Sequence, residues 1–205
     1  LVLTWLVFGT WLWANSEHSW MDAFRIVALN VTSVVTTTGV ALGDYTLWGS
    51  FSVLLFFYLT FVGGCSGSTA GGLKIFRFQV AYVLLKANLQ QLIHPRAVIK
   101  QQYNGHNLDE DIVRSLITFS FFFTITIGLI ALGLALIGLD WITALTGAAT
   151  AVCNVGPGLG PIIGPAGNFS TLPDAAKWLL TIGMLLGRLE ILTVLVLLTK
   201  AFWKH

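Results

Sequence analysis

Two glycine-containing segments have residue types that can bind a cation through backbone oxygens. The first reads Thr-Thr-Thr-Gly-Val at 36–40, and the second reads Asn-Val-Gly-Pro-Gly at 154–158. Glycine permits the backbone angles that turn successive carbonyls toward one axis. In selectivity filters, a ring of such carbonyls replaces the water shell of the ion. Each segment alone is also compatible with an ordinary extracellular turn, but their matching positions in the chain favour a pore.

A third segment, residues 63–72, interrupts an apolar stretch near the middle of the expected membrane. Its residues are Gly63, Gly64, Cys65, Ser66, Gly67, Ser68, Thr69, Ala70, Gly71 and Gly72. Five of these ten residues are glycine, and each interior glycine costs a helix about 1 kcal/mol relative to alanine. A flexible loop that gates a pore fits this composition, and so does close packing of helices through small residues.

Two enzymatic motifs with a similar appearance do not fit residues 63–72. A phosphate-binding loop needs Lys followed by Ser or Thr directly after its second glycine, and the stretch Gly67-Ser-Thr-Ala-Gly71-Gly72-Leu73-Lys74 lacks that spacing. A rhomboid-like intramembrane serine protease needs a general base within hydrogen-bond reach of its nucleophile. All the histidines lie outside the apolar segments, so the sequence argues against an enzyme.

Arg188 stands in the middle of the last apolar segment, 178–199. An ionisable group at that depth is costly and faces a cavity or a partner. Residues two apart do not share a helix face, so Glu190 is expected to pair elsewhere, near Lys74 or Arg77. Snorkelling of Arg188 to an interface is disfavoured because apolar residues flank it on both sides.

The composition identifies the environment that these segments share. Hydrophobic residues make up 56% of the 205 residues and charged residues 10%, whereas soluble domains carry about a quarter charged residues. Mean hydropathy is +0.81. The apolar stretches at 115–139 and 178–199 reach the length of about 20 residues that spans a bilayer. The sequence therefore predicts an all-α membrane protein that crosses the lipid bilayer several times.

Basic residues are concentrated around the connector between the second and third apolar blocks. They are Lys74, Arg77, Lys86, Arg96, Lys100 and Arg114, and Lys200 and Lys204 lie near the end of the sequence. The loops within 15–50 and 160–177 carry mostly acidic residues. Because loops rich in Lys and Arg face the cytoplasm, the connector 86–110 and the C-terminus are predicted to be cytoplasmic.

The elements that must position these residues occur twice in the same order: an apolar segment, a short stretch, a filter-like segment and a long apolar segment. In the first unit they run over 1–14, 20–34, 36–40 and 51–85. In the second unit they run over 112–139, 140–152, 154–160 and 175–199. The short stretches cannot span a bilayer and suit re-entrant half-helices, whose irregular ends are tolerated only inside protein or along a water-filled cavity. The sequence predicts two helix–re-entrant pore loop–helix repeats, as in K+ channels.

Four sequence blocks occur in an order typical of one group of transporters. They are TTTGV at 36–40 with Asp44, Tyr45 and Trp48 after it, GGCSGSTAGGLKIFR at 63–77, NVGPGLG at 154–160 and MLLGRLEILTVLVLLTKAFWK at 184–204. Together they resemble the TrkH/KtrB/HKT superfamily of potassium transporters, and within it the bacterial TrkH branch. That family has four repeats around one pore. The resemblance implies that residues 1–85 and 111–205 are the third and fourth repeats of an expected four, and that an N-terminal half of the same protein supplies the others.

The resemblance also implies roles for individual residues. The filter positions are Thr36, Thr37, Thr38, Gly39, Val40, Cys153, Asn154, Val155 and Gly156, whose carbonyls would coordinate dehydrated K+. Residues 63–72 would form a gate loop beneath the filter. Arg188 would latch that gate, either by donating hydrogen bonds to carbonyls around 64–71 or by adding a positive barrier.

The function that the resemblance implies is potassium uptake across the bacterial inner membrane, with K+ as the transported ion and no cofactor bound by the chain. It further implies a homodimer and a cytosolic nucleotide-binding regulatory subunit of the TrkA/KtrA type near connector 86–110. No nucleic acid partner is expected. A non-conducting membrane scaffold is the alternative of a different class, and ion flux through filter variants distinguishes the two.

Overall fold

The structure, a computed structural model, describes residues 1–65, 67–94, 102–189, 196 and 202–204. Several sequence predictions concern residues outside these ranges. They are the predictions for Ser66 in the gate loop, for Arg96 and Lys100 in the connector, for the partner of Glu190, and for Lys200.

Seven α-helices and one short hairpin form the described part of the chain. The helices are α1 (Val2–Asn15), α2 (Trp20–Val35), α3 (Ser50–Phe61), α4 (Ile75–Ile93), α5 (Glu110–Leu136), α6 (Trp141–Cys153) and α7 (Asp174–Arg188). The antiparallel hairpin pairs β1 (Gln102–Tyr103) with β2 (His106–Asn107). Single 3₁₀ turns lie at Tyr45–Trp48, Phe169–Thr171 and Phe202–Lys204. This architecture confirms the predicted all-α fold.

In the second unit, the lengths of α5 and α6 fit a spanning helix followed by a re-entrant one. Helix α5 has 27 residues and is the helix of the described ranges that is long and apolar enough to cross a membrane. Helix α6 has 13 residues, which is too short to span. The long apolar stretch predicted at 51–85 is divided into α3 and α4, as its glycine-rich interruption requires.

Helix α6 lies at the centre of the second unit, where α5 and α7 both pack against it. Ten of its 13 residues are buried, and these are mainly Ala, Thr, Gly and Val. Small side chains let neighbouring helices approach closely. At its start, the Asp140 carboxylate accepts a hydrogen bond from the Thr143 N–H at 3.1 Å. Hydrogen bonding from Thr143 lowers the pKa of Asp140, so this carboxylate stays charged at the helix N-terminus, where negative charge is favourable.

An aromatic cluster fixes the segment that follows the first filter loop. The Tyr45 ring stacks on Phe56 of α3 with 3.9 Å between centroids, and Trp48 lies 5.9 Å from Phe8 of α1. Phe8, Tyr45 and Phe56 are all almost fully buried. Aromatic pairs of this kind add about 0.5–1.5 kcal/mol each beyond the area they bury. The return from the loop to α3 is therefore held against α1.

Candidate ion filter and gate loop

The first filter loop begins with a left-handed turn at the end of α2. Thr37 has a φ of 54° and Gly39 a φ of 78°. The Thr37 N–H donates to the Val34 carbonyl at 3.1 Å, and the Thr38 N–H donates to the Ser33 carbonyl at 2.8 Å. Because the sign of φ alternates along Thr37, Thr38 and Gly39, successive carbonyls can turn toward one side of the chain.

The second filter loop repeats this arrangement 117 positions later in the chain. Asn154 has a φ of 55° and Gly156 a φ of 113°. The Asn154 N–H donates to the Ala151 carbonyl, and the Val155 N–H donates to the Thr150 carbonyl, each at 3.1 Å. The predicted duplication is thus present in the hydrogen bonds of the two loops, although their side chains differ.

The two loops touch each other at their glycines. A Cβ atom built on Gly39 would lie 2.5 Å from the Val155 carbonyl oxygen, and one built on Gly156 would lie 3.6 Å from the Gly39 Cα. Cβ atoms do not approach other atoms within 3.0 Å, so Gly39 has no room for a side chain. The structure therefore places the predicted filter residues 36–40 and 153–156 side by side.

Backbone hydrogen bonds join the two ends of the predicted gate loop. Val62 and Leu73 form an isolated parallel bridge. The Gly63 N–H donates to the Leu73 carbonyl at 2.8 Å, and the Leu73 N–H donates to the Phe61 carbonyl at 2.9 Å. These bonds join the end of α3 to the start of α4, so the residues between them leave and re-enter the helical layer at one point.

One residue of the gate loop contacts both filter loops. The Gly71 N–H donates to the Thr37 Oγ1 at 3.3 Å. A Cβ atom built on Gly71 would lie 2.0 Å from the Cys153 carbonyl oxygen and 3.1 Å from the Asn154 Cβ. Gly71 is buried. The loop therefore passes directly against the point where α2 and α6, called the pore helices below, both end.

Arg188 lies at the end of α7, across a cavity from the gate loop. A cavity of about 250 Å³ separates them and is lined by Ser68, Thr69, Ala70, Gly71, Gly72, Lys74, Arg77, Phe119, Gly187 and Arg188. The Arg77 guanidinium lies 3.6 Å above the Phe119 ring, which is a favourable cation–π distance. Within the described residues, the Arg188 side chain shares this cavity with the loop and makes no hydrogen bond to a loop carbonyl.

Helix α7 approaches the end of α6 closely enough to place Arg188 there. A Cβ atom built on Gly187 would lie 1.8 Å from the Val152 carbonyl oxygen. The Asn154 Nδ2 donates to the Met184 carbonyl at 3.1 Å. The predictions from sequence did not include Gly187, because a glycine next to a charged residue gives no sign of which backbone it meets.

The sequence predictions also missed polar side chains on the pore helices that bind the filter loops. Asn30 is fully buried on α2, and Thr146 and Thr150 are buried on α6. Each makes a hydrogen bond to the backbone of its own repeat's loop. Buried polar groups need hydrogen-bond partners, so a polar residue within an otherwise apolar helix could have predicted such a bond.

Comparisons with known proteins agree with one another. The family described as "TrkH: Cation transport protein" matches residues 2–204. The "Trk system potassium uptake protein TrkI" of Halomonas elongata is 58% identical over 100% of this chain and 42% of its own length. The crystal structure of the potassium transporter TrkH from Vibrio parahaemolyticus superposes with a TM-score of 0.90 at 35% identity, over 99% of this chain and 43% of that one. The chain thus spans about two fifths of the length of these relatives.

Proposed function

The chain belongs to the TrkH family of cation transport proteins, and from this we propose that it forms part of a potassium uptake pore in the bacterial inner membrane. The family and its named relatives are transporters and not enzymes. The observation that carries the proposal is the backbone arrangement shared by the loops at 36–40 and 153–156, which meet at Gly39. An arrangement of this kind is what carbonyl coordination of an ion requires.

In this proposal the two loops form half of a ring that coordinates dehydrated K+ through backbone carbonyls. Helices α2 and α6 end immediately before the two loops, and the negative end of each helix dipole favours a cation there. Two further loops from an N-terminal half of the same protein complete the ring. The second loop carries Asn154 and Pro157 where the first carries Thr37 and Val40, so the ring is asymmetric.

Residues 63–72 act as the gate, and Arg188 makes the closed state less favourable for a cation. The support for the gate is the contact of Gly71 with both filter loops. The support for Arg188 is its position on the cavity beneath that loop. Of its two expected roles, the positive barrier fits this geometry better than a hydrogen-bonded latch. K+ that leaves the filter meets the loop first and the Arg188 charge next.

The β1–β2 hairpin provides a folded surface for the proposed regulatory subunit of the TrkA/KtrA type. The Tyr103 hydroxyl donates to the Gln79 Oε1 at 2.6 Å, and the Tyr103 ring lies 5.4 Å from Phe76, edge to face. These contacts hold the β1–β2 hairpin against α4. The proposal places this hairpin and the C-terminus on the cytoplasmic side, with the chain in a homodimer.

Ion uptake tests the proposed function directly. In a bacterial strain without potassium uptake of its own, we expect Rb+ uptake when this chain is joined behind the N-terminal part of the 58%-identical relative; this protein is called the chimera below. We expect no uptake from residues 1–205 alone, because two filter loops cannot surround an ion. A chimera that reaches the membrane and carries no Rb+, while the relative itself does, would favour a non-conducting scaffold.

Replacing Arg188 tests the proposed barrier. We expect Arg188→Ala in the chimera to raise Rb+ uptake by roughly fivefold, because lowering the barrier to the ion by about 1 kcal/mol raises the rate by that factor. Arg188→Lys keeps the charge and is expected to transport like the parent. Equal uptake by Arg188→Lys and Arg188→Ala would contradict an electrostatic barrier.

A further inference from the structure

The first filter loop is held at its far end by a side chain of its own pore helix. The Asn30 Nδ2 donates to the Leu42 carbonyl at 3.0 Å, and the Leu42 N–H donates to the Asn30 Oδ1 at 2.8 Å. Asn30 is 0% exposed, so both amide atoms depend on these bonds. Leu42 lies three residues beyond Gly39.

The second loop is held at the equivalent residue by a different side chain. Leu159 corresponds to Leu42 with the same separation of 117 positions that relates the filter glycines. The Leu159 N–H donates to the Thr146 Oγ1 at 3.1 Å. The hydroxyl proton of Thr146 has two acceptors, the Ile142 carbonyl at 2.7 Å and the Leu159 carbonyl at 3.2 Å. The residue that corresponds to Asn30 is Gly147, so the two repeats reach the same backbone position from neighbouring positions of the helix.

The two loops differ in a second attachment. The Gly156 N–H donates to the Thr150 Oγ1 at 3.0 Å. The counterpart of Thr150 is Ser33, whose buried hydroxyl has no hydrogen-bond partner among the described residues. Side chains thus hold the second loop at two residues, Gly156 and Leu159. In the first loop, the Asn30 side chain bonds to a single residue, Leu42, with two atoms.

We propose that Asn30 and Thr146 are positioning residues that determine the ion specificity of the filter. The inference rests on the proposed function, since it concerns the same carbonyls. Selectivity depends on the size of the carbonyl cage or on the number and field strength of its dipoles, and both depend on where the backbone lies. The first loop is bonded to α2 at Thr38 and at Leu42, which leaves only residues 39–41 between the two attachments. Loss of the Leu42 or Leu159 attachment removes the side-chain hydrogen bonds at one end of a loop and loosens the cage.

Thr146→Val in the chimera tests the inference, because valine keeps the shape and removes the hydroxyl. We expect the ratio of K+ to Na+ uptake to fall by about fivefold or more. An effect of this size is expected when the buried Leu159 N–H loses its hydrogen-bond acceptor. Thr146→Ser is expected to restore the ratio. Thr60→Val is the matched control: Thr60 is 8% exposed against 7% for Thr146. Its hydroxyl donates to the Phe56 carbonyl within α3 at 2.8 Å, and within the described part of the chain it makes no hydrogen bond to a filter loop.

The uptake ratio does not depend on how much protein reaches the membrane, and Asn30→Leu repeats the test in the first loop. Unchanged ratios in Thr146→Val and Asn30→Leu would overturn the inference while uptake itself persists. Failure of both variants to enter the membrane, when Thr60→Val enters normally, would also overturn it, because the two residues would then be structural. Failure of the proposed function is a different result, since the unmodified chimera would then carry no ions.

Discussion

Gly39→Ala is expected to reduce Rb+ uptake by the chimera by about 100-fold or more. Two costs add at this position. Alanine at the Gly39 φ of 78° carries a left-handed penalty of about 1–2 kcal/mol. Its Cβ would also lie 2.5 Å from the Val155 carbonyl oxygen, so the second filter loop must move as well. A combined cost of about 3 kcal/mol in the conducting state corresponds to roughly a 100-fold effect.

Gly43→Ala separates these two costs. Gly43 has a φ of 76°, almost equal to that of Gly39, but a Cβ built there has nothing within 4 Å. We therefore expect Gly43→Ala to bear the backbone penalty alone and to retain most of its uptake. The measurement is Rb+ uptake per amount of chimera in the membrane. Similar uptake by the two variants would show that residues 36–40 are an ordinary turn rather than part of a filter.

The positions of the two pore helices could be predicted because their lengths and composition constrain them. The stretches at 20–34 and 140–152 are too short to span, and each is followed by a glycine-containing segment; the structure has α2 and α6 there. The five glycines in residues 63–72 likewise predicted the break between α3 and α4. In each case a local property, helix length or glycine content, determines the local structure.

Contacts between distant segments could not be predicted in the same way. Nothing near Gly71 in the sequence indicates that its backbone meets the Cys153 carbonyl, or that Gly187 meets the Val152 carbonyl. Asn30 illustrates the same limit, since a buried amide predicts some hydrogen-bond partner but does not identify Leu42. These contacts depend on how the helices pack, and the glycine content of a segment does not determine which other segment it packs against.

The internal repeat explains why such different residues perform corresponding tasks. The bonds Thr38 to Ser33 and Val155 to Thr150 involve backbone atoms only, so substitutions at these positions leave them intact. Side chains are then free to diverge, as Asn30 and Thr146 have done around the equivalent leucines. Duplication is therefore easier to detect in the backbone hydrogen bonds than in the residue identities.

Gly71→Ala is expected to raise Rb+ uptake by the chimera by roughly fivefold or more. A methyl group on Gly71 would lie 2.0 Å from the Cys153 carbonyl oxygen, so one of the two segments must move. Cys153 and Val152 are 0% exposed and lie in the tightly packed end of α6, whereas Gly67 in the same loop has open space around it. The loop therefore yields and the filter does not. Displacing it also breaks the hydrogen bond that joins it to Thr37 in the first filter loop, and a bias of about 1 kcal/mol between two states corresponds to this factor.

Gly67→Ala is the matched control for the gate loop. It has a φ of 86° and nothing within 4 Å of a built Cβ, so it strains the loop without pushing it away from the filter. We expect its uptake to stay near that of the parent chimera. A fall in uptake with Gly71→Ala would mean that the filter gives way first, and equal uptake by both variants would mean that residues 63–72 do not block the pore. A rise confined to Gly71→Ala would assign the gate to the contact between this loop and the ends of the two pore helices.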